Sequence, residues 1–238
     1  MTSVAGNLQH PHDRIAAACA EAGRPVQAVT LLAVSKSFQA DAVRAAHGAG
    51  QRAFGENKVQ EALVKMADLA DLRGELEWHL IGPLQSNKTR AAAEAFDWVQ
   101  SVDRLKIAQR LSEQRPAHLP PLQLCLQVNI SGQASKSGLA PAELAAVAEA
   151  VTALPGVRLR GLMAIPAPAR GVAAQRVPHR ALRELFDALN ARGLALDTLS
   201  MGMSDDLEAA LVEGATMVRV GTAIFGGRAA AAPQPPAD

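Results

Sequence analysis

The sequence predicts one α/β domain, a (β/α)8 TIM barrel with an additional helix before its first strand. Two observations predict this fold. Eight short β-type runs alternate with helix-type stretches along the 238 residues, and several runs are apolar nearly throughout, as is typical of parallel strands covered on both faces. Doubly wound sheets usually have fewer strands, and eight strand–helix units use almost the whole chain. We therefore expect a single barrel without a second domain.

Each predicted strand is a short run rich in apolar residues. The eight runs are Leu31–Ser35, Arg52–Gly55, Glu77–Gly82, Trp98–Val102, Leu122–Ile130, Val157–Ile165, Thr198–Met201 and Thr216–Val220. Parallel neighbours cannot be joined by a tight turn, so a crossover segment must lie between consecutive strands. The intervening stretches have the length and spacing that helices need.

Apolar residues at helical spacing predict the first helices. One helix is expected around Asp13–Ala22, before the first strand. Another is expected between the second and third strands, where the apolar stripe runs from Val59 to Ala70. On a different face of that helix, Glu61 and Lys65 are spaced to form an i,i+4 ion pair.

Start and stop residues predict the later helices. These are a helix from Pro141, one that ends before Gly193, one with Asp205 and Glu208 as a capping pair, and a short final helix over Thr222–Phe225. Two segments lie outside the strand–helix units. Pro166–Pro178 is expected to be a loop, and the Ala/Pro-rich tail 229–238 is expected to be disordered, which leaves 1–228 as the barrel.

The composition disfavours nucleic acid and membranes as partners. Lys and Arg number 24 against 23 Asp and Glu, a formal net charge of +1, so the chain lacks a broad basic footprint. Aromatic residues make up 3% and Tyr is absent, which leaves no ordinary base-stacking platform. The N-terminus lacks the apolar core of a signal peptide, and no stretch reaches the ~18 apolar residues of a membrane span. We expect a soluble, cytoplasmic protein.

The two cysteines, Cys19 and Cys125, follow no metal or redox spacing. Cys19 lies on an apolar helical stripe and Cys125 lies inside an apolar run. Both are therefore expected to be small buried core residues, and no metal site is predicted from them.

Functional groups of such barrels collect where strands end. The first strand ends LLAVSK and places Lys36 at the exit of a buried run. Partial desolvation there increases the fraction of neutral, nucleophilic amine. The alternative from position alone is a lysine whose head group reaches back to water.

Two further strand ends carry Asn57, in GEN, and His79, before GPLQSNK. Both segments have Gly and Asn where the backbone turns, so turn chemistry is the alternative interpretation. His79 lies within a strand, so a hydrogen-bonded core histidine is equally compatible with its position.

The last two strand ends both combine glycine with a nearby hydroxyl. They contain Ser200 and Gly202 in LSMGMS, and Gly221 and Thr222 in VRVGTA. Phosphate sites of these barrels are built from the loops after strands seven and eight. Turn glycines without a ligand are the alternative. A nucleophilic lysine facing a phosphate cup indicates a phosphorylated carbonyl ligand, either pyridoxal 5′-phosphate (PLP) or a phosphosugar, and position alone does not choose.

Seven motifs in this order resemble the pyridoxal phosphate homeostasis protein family, also called the YggS or proline synthetase co-transcribed family. They are LLAVSK with FGENKVQEAL, WHLIGPLQSNKTR, VNISGQASKSGL, GLMAIP, LSMGMSDDLEAAL and VRVGTAIFGGR. The resemblance covers about residues 7–228. It differs at Gln133, where an acidic residue is common.

The resemblance implies a monomeric barrel related to the N-terminal domain of alanine racemases, with PLP as cofactor on Lys36. It implies that Ser200, Gly202, Gly221 and Thr222 bind the phosphate and that Arg219 faces the pyridine nitrogen. It also implies that Asn57 and His79 lie around the cofactor.

An arginine at the ring nitrogen bears on catalysis. PLP withdraws electrons best when its ring nitrogen is protonated, whereas arginine can only donate and so favours the unprotonated nitrogen. Racemisation also needs an acid/base group on each face, and related racemases take one from a Tyr of a second domain. This chain has no Tyr. We therefore expect a protein that buffers PLP and passes it transiently to apo-enzymes, not an enzyme. The alternatives are a weak amino-acid racemase and a Schiff-base aldolase.

Overall fold

Eight parallel strands close into a barrel in chain order in the computed structural model, which describes residues 3–133 and 136–226. The strands are β1 Thr30–Val34, β2 Ala53–Glu56, β3 Glu77–Leu80, β4 Trp98–Val102, β5 Leu122–Gln127, β6 Val157–Met163, β7 Thr198–Ser200 and β8 Met217–Val220. Strand β1 pairs with both β2 and β8, which closes the barrel. The predicted fold is confirmed, and each predicted run overlaps an observed strand. The predicted tail 229–238 lies outside the described residues.

The helices form the outer layer. They are α1 Val4–Glu21, α2 Ala40–Gly48, α3 Val59–Asp68, α4 Thr89–Ala95, α5 Leu105–Gln114, α6 Leu144–Thr152, α7 Val172–Ala191, α8 Leu207–Val212 and α9 Thr222–Phe225. Most of the apolar core lies between this layer and the strands, where Phe54, Trp78 and Phe96 are fully buried. None of the helices within the described ranges combines the length and the apolarity needed to cross a bilayer.

Helix α1 begins nine residues earlier than the predicted Asp13. Ser3 caps it by accepting a hydrogen bond from the Gly6 N–H at 3.1 Å, and Leu8 and Pro11 are buried on its inner face. The polar residues between these positions hide the apolar spacing in the sequence. Asn7 donates to the Ile224 carbonyl at 2.9 Å, so the N-terminal helix is tied to the last one.

The predicted loop Pro166–Pro178 is wrong over its second half, because α7 begins at Val172. Gly171 precedes the helix with φ +85°, and Pro178 lies within the helix. An interior proline usually ends a helix. Here the buried residues that follow it, His179, Leu182 and Leu189, anchor the helix to the barrel.

Two predicted side-chain pairs are also wrong. Helix α8 follows Asp206 rather than Asp205, and Glu208 pairs with Arg14 at 2.7 Å instead of capping its own helix. On α3, Glu61 pairs with Lys58, while Lys65 points inward to another partner. In both cases a partner from another segment outcompetes the local one.

Two small apolar clusters lie inside the barrel, separate from the main core. Leu32, Val34, Ala53, Ile81 and Met217 form one cluster, and Trp98, Cys125 and Met163 form a second. Both cysteines are fully buried, as predicted, and burial raises the pKa of Cys125 to about 12. Buried polar side chains also lie among the strands, and they include His79, Gln100, Ser200 and Arg219.

Candidate functional site

The exits of β1 and β8 form one small pocket. These strands are neighbours, with Ala33 opposite Val220, so Lys36 and Gly221 leave the barrel side by side. The cavity has a volume of about 70 Å³, and Val34, Lys36, Ser37, Phe38, Gly221, Thr222 and Gly226 line it. The structure thus brings three of the predicted site residues together. Lys36 itself is exposed, so the predicted partial desolvation of its amine is wrong.

The backbone around the pocket is tightly constrained. Ser37 has φ +67°, a left-handed conformation that non-glycine residues seldom adopt and that is often found at functional sites. A Cβ at Gly221 would lie 3.1 Å from the Val34 carbonyl oxygen, so a larger residue would press against β1. The rings of Phe38 and Phe225 lie 5.1 Å apart and link the two loops.

A buried ion pair lies on the other side of the end of β1. The Lys65 ammonium contacts Glu56 and donates to the Ser35 carbonyl at 2.7 Å, and the Ser35 hydroxyl donates to Glu56 at 2.6 Å. Glu56 is fully buried, and its second carboxylate oxygen has no hydrogen-bond partner within the described ranges. The residue before Lys36 is therefore held by its carbonyl and by its hydroxyl.

Inside the barrel, His79, Ser200 and Arg219 belong to one hydrogen-bond network. Arg219 donates to the Ser200 hydroxyl at 2.7 Å and to the Ala164 carbonyl at 2.8 Å. Ser200 donates to Gln100 at 2.6 Å, and Gln100 lies 2.8 Å from His79 Nδ1. The Ser200 hydroxyl is thus already committed to two protein partners, whereas the sequence placed it among the phosphate ligands.

Arg219 is a buried cation at 4% exposure. Burial lowers its pKa to about 10, and the charges of Asp206 and Cys125 oppose the shift. The guanidinium is therefore still protonated at neutral pH. It forms no ion pair with any carboxylate in the part of the chain that the structure describes. Its donors instead meet neutral oxygens, which leaves its charge available to a ligand.

Asn57 and Gly202 follow strand ends but do not line the pocket of Lys36. Asn57 is half-buried, and its carbonyl oxygen lies 2.1 Å from where a Cβ at Gly82 would be, so the loops after β2 and β3 touch. Gly202 has φ +90° and packs against Ala210, where a Cβ would approach to 2.5 Å. Its carbonyl accepts from the Arg219 N–H at 3.0 Å. The positive φ and the contact with Ala210 therefore explain the glycine at position 202 without a ligand.

Known proteins are similar to this chain over nearly its full length. The family model described as "Alanine racemase, N-terminal domain" matches residues 7–229. The pyridoxal phosphate homeostasis protein of Pseudomonas aeruginosa is 64% identical over 233 residues, which are 98% of this chain and 99% of that protein. The chain belongs to the pyridoxal phosphate homeostasis protein family. The resemblance drawn from the motifs is confirmed.

Two further relatives extend the comparison. The Escherichia coli protein is 53% identical over 229 residues, 96% of this chain and 98% of that protein. The structure of PipY from Synechococcus elongatus, solved with PLP bound, is 42% identical with a TM-score of 0.78. It covers 89% of this chain and 100% of that chain.

In this family member, sequence reasoning missed three side chains near the site. Gln100 lies in the otherwise apolar strand WVQSV, and a polar residue in a buried strand was the signal that could have indicated it. Glu56 lies in GEN, and this motif indicates Asn57 rather than Glu56 as the functional residue. Lys65 was assigned to the helix surface because Glu61 offered a local partner.

Proposed function

We propose that this protein binds PLP covalently through Lys36 and acts in intracellular vitamin B6 homeostasis, with residues 1–228 as the binding domain. The observation that carries the proposal is the shared pocket of Lys36, Gly221 and Thr222, together with a buried Arg219 two residues before Gly221 that pairs with no carboxylate in the described ranges. An amine for the aldehyde and a cup for the phosphate are the features that a PLP site needs, and a buried guanidinium can in addition donate to an unprotonated ring nitrogen. The residues present therefore fit the cofactor.

PLP supplies an aldehyde that condenses with an amine to a Schiff base with release of one water molecule. Lys36 provides that amine, because it lies exposed at the pocket and has no carboxylate partner within the described ranges. Lys65 is excluded as a competitor, because its side chain is buried and its Nζ is held by Glu56 and the Ser35 carbonyl. The constrained backbone of Ser35 and Ser37 aims Lys36 into the pocket.

The phosphate is bound by the loops after β7 and β8. Gly221 and Thr222 line the cavity shared with Lys36, and their backbone N–H groups and the Thr222 hydroxyl are the donors that would bind the phosphate. Gly202 brings the neighbouring loop close to β8. Ser200 is assigned to the ring side instead, because its hydroxyl bonds to Arg219 and Gln100. Asn57 and His79 lie around the remaining rim and floor.

Arg219 limits the reactivity of bound PLP. As a donor that stays cationic at neutral pH, it favours an unprotonated ring nitrogen, and this weakens stabilisation of a carbanion. The chain also has no Tyr to serve as a second acid/base group. We propose buffering of PLP by a monomer, and transient delivery to apo-enzymes, as the role that remains. Relatives named for homeostasis support it.

The test is the visible spectrum of the purified protein with PLP before and after borohydride, followed by peptide mapping. We expect a visible band and a reduced adduct on Lys36, and no band in Lys36→Ala. Lys58→Ala, an exposed lysine near the rim, is the control and should keep the band. An adduct mainly on Lys58, Lys88 or Lys136 would contradict the assignment. A reducible adduct with a phosphosugar but none with PLP would favour an aldolase.

A second measurement addresses turnover. Protein loaded with PLP is incubated with L- and D-alanine, and chiral composition and α-proton exchange are followed. Lack of one acid/base group costs ~10²–10⁴-fold in rate, so we expect slow exchange at most. Sustained racemisation at about 1 s⁻¹ or faster, within the ordinary range of enzymes, would establish the racemase alternative.

A further inference from the structure

A continuous chain of hydrogen bonds crosses the inside of the barrel from Arg219 to Glu77. Arg219 contacts Ser200 Oγ at 2.7 Å, and Ser200 contacts Gln100 Oε1 at 2.6 Å. Gln100 Nε2 lies 2.8 Å from His79 Nδ1, and His79 Nε2 lies 2.7 Å from Glu77 Oε1. The four inner residues are buried, whereas the Glu77 side chain is 48% exposed at the opposite end of the barrel.

The direction of every bond in this chain follows from its first member. A guanidinium can only donate, so Ser200 accepts from Arg219 and directs its own proton to Gln100. Gln100 must then accept through its carbonyl, which leaves its NH₂ group facing His79 Nδ1. That nitrogen must be unprotonated, so the ring proton of neutral His79 lies on Nε2 and is donated to the Glu77 carboxylate.

Independent contacts support the same orientation of Gln100. Its Nε2 also lies 3.1 Å from the Met217 sulfur, a weak acceptor, so both hydrogens of the NH₂ group have partners. The His79 ring stacks on Trp98 with 5.1 Å between centroids, which fixes the ring plane. Burial, the largest single influence, would raise the pKa of Glu77, but the hydrogen bonds to its carboxylate, that from His79 foremost, and the nearby positive charges together outweigh it, and the pKa is lowered. Glu77 is therefore an acceptor at neutral pH.

We propose that Gln100 is a positioning residue for the cofactor site. It holds the Ser200 hydroxyl, and through it the Arg219 guanidinium, in one orientation, and it fixes His79 as the neutral Nε2–H tautomer. The part that concerns the pyridine ring depends on the proposed PLP function, whereas the tautomer of His79 does not. Gln100 itself is expected to touch neither the aldehyde nor the phosphate.

The first test is nitrogen NMR of the imidazole groups in isotope-labelled protein without PLP. For the unsubstituted chain we expect His79 to show one protonated nitrogen, Nε2, and one unprotonated nitrogen, Nδ1. Gln100→Glu keeps the shape but replaces the NH₂ donor with an acceptor, so we expect both nitrogens of His79 to be protonated at neutral pH. An Nδ1–H tautomer in the unsubstituted chain, or no change in Gln100→Glu, would overturn the proposal.

The second test separates positioning from packing. Gln100→Met keeps the volume but makes no hydrogen bond to Ser200, and it should weaken PLP and pyridoxal binding alike, each by about tenfold. The equal loss is expected because both ligands share the ring that Arg219 faces. Unchanged binding of both ligands, or a loss confined to PLP, would overturn the role of Gln100 toward Arg219. Gln114→Met is the control, because Gln114 lies on helix α5 and takes no part in the hydrogen bonds between Arg219 and Glu77.

The outcomes distinguish this inference from the proposed function. If the protein gives no visible band with PLP while His79 has the expected tautomer, the proposed function fails and the hydrogen-bond chain stands. If PLP binds to Lys36 but His79 has the other tautomer, the proposed function stands and the role of Gln100 fails.

Discussion

Two lysines lie on opposite sides of the end of β1, and their surroundings differ. Lys65, on the outer side, is 7% exposed and pairs with the fully buried Glu56. Lys36, on the inner side, lies exposed in the pocket beside Gly221 and has no ion-pair partner within the described ranges. A carboxylate partner keeps an amine protonated, and only an unprotonated amine is a nucleophile. The difference supports the proposed assignment of Lys36, rather than Lys65, as the amine that binds PLP.

The two sides are nevertheless mechanically connected through Ser35. Its N–H donates to the Gly55 carbonyl at 3.0 Å, its carbonyl accepts from Lys65, and its hydroxyl bonds to Glu56. The peptide that leads into Lys36 is thus fixed from the outer side. The buried ion pair therefore holds the backbone from which Lys36 extends.

The largest expected effect is on the outer side. Lys65→Met leaves Glu56 buried without its cation, and breaking a buried pair in this way typically costs about 3–5 kcal/mol. Urea unfolding without PLP measures the change. Lys58→Met is the matched control, since Lys58 is 71% exposed and its pair with Glu61 contributes at most ~0.5 kcal/mol. Equal small losses in the two variants would show that the outer pair does not stabilise the fold.

How much of this difference could be predicted from the sequence depends on where the partners lie. Lys36, Gly221 and Thr222 each follow a strand, and in a closed barrel of known strand order the ends of β1 and β8 must meet. Lys65 and Glu56 lie on different elements, and Glu61 was a plausible local partner. Side-chain direction decides such pairs, and spacing along a helix does not encode it.

The interior network was predictable only in part for the same reason. Arg219 and Ser200 occur in motifs at strand ends, so their presence near the site was expected. Their bond to each other requires that both point inward, which follows from the register of β7 and β8. Gln100 comes from β4, and no sequence pattern joins it to either residue.

The start of α7 could not be predicted from the sequence, because the proline at position 178 indicates a loop. The buried residues that follow Pro178 hold the helix against the barrel in spite of it.

The second prediction addresses the inner side. Gly221→Ala adds a Cβ 3.1 Å from the Val34 carbonyl and narrows the pocket. We expect PLP binding to weaken at least tenfold, about 1.4 kcal/mol, and pyridoxal binding to weaken much less, because only PLP carries the phosphate. Titration of both ligands by absorbance measures this. Gly48→Ala, where a Cβ meets nothing within 4 Å, is the control. Equal losses for both ligands would place the phosphate elsewhere.

A smaller effect is expected at Asp206, in the loop before α8. Its carboxylate accepts from the Met203 N–H at 2.7 Å and contacts His179 at 2.9 Å. Burial alone would raise its pKa, but these hydrogen bonds, that from His179 foremost, outweigh burial, and the pKa is lowered. A lowered folded-state pKa stabilises the fold above the unfolded value of about 3.9 and loses this effect as pH falls through the folded value.

Asp206→Asn should therefore lower the free energy of unfolding by about 1 kcal/mol at pH 7. The difference from the unsubstituted chain should shrink as the pH falls below about 4, because Asp206 is then progressively protonated. Urea unfolding of both proteins at pH 7 and at a pH below about 4 measures this difference in the free energy of unfolding. Asp205→Asn, at an exposed neighbouring position, is the control. A difference that stays constant with pH would show that the hydrogen bonds act without the charge.

The smallest effect on stability is expected where the effect on function is largest. Lys36→Met removes an exposed amine without an ion-pair partner in the described ranges, so the free energy of unfolding without PLP should change by at most about 0.5 kcal/mol. With PLP in excess, the unsubstituted chain should gain stability by mass action, about 2.7 kcal/mol at a hundredfold excess over its Kd, and Lys36→Met should lose most of this gain. Unfolding with and without PLP measures both. Lys65→Met should show the opposite pattern, a large loss without ligand and a remaining gain with PLP. If Lys36→Met instead destabilises the ligand-free protein as much as Lys65→Met does, both lysines hold the fold, and the division between the two sides of β1 is wrong.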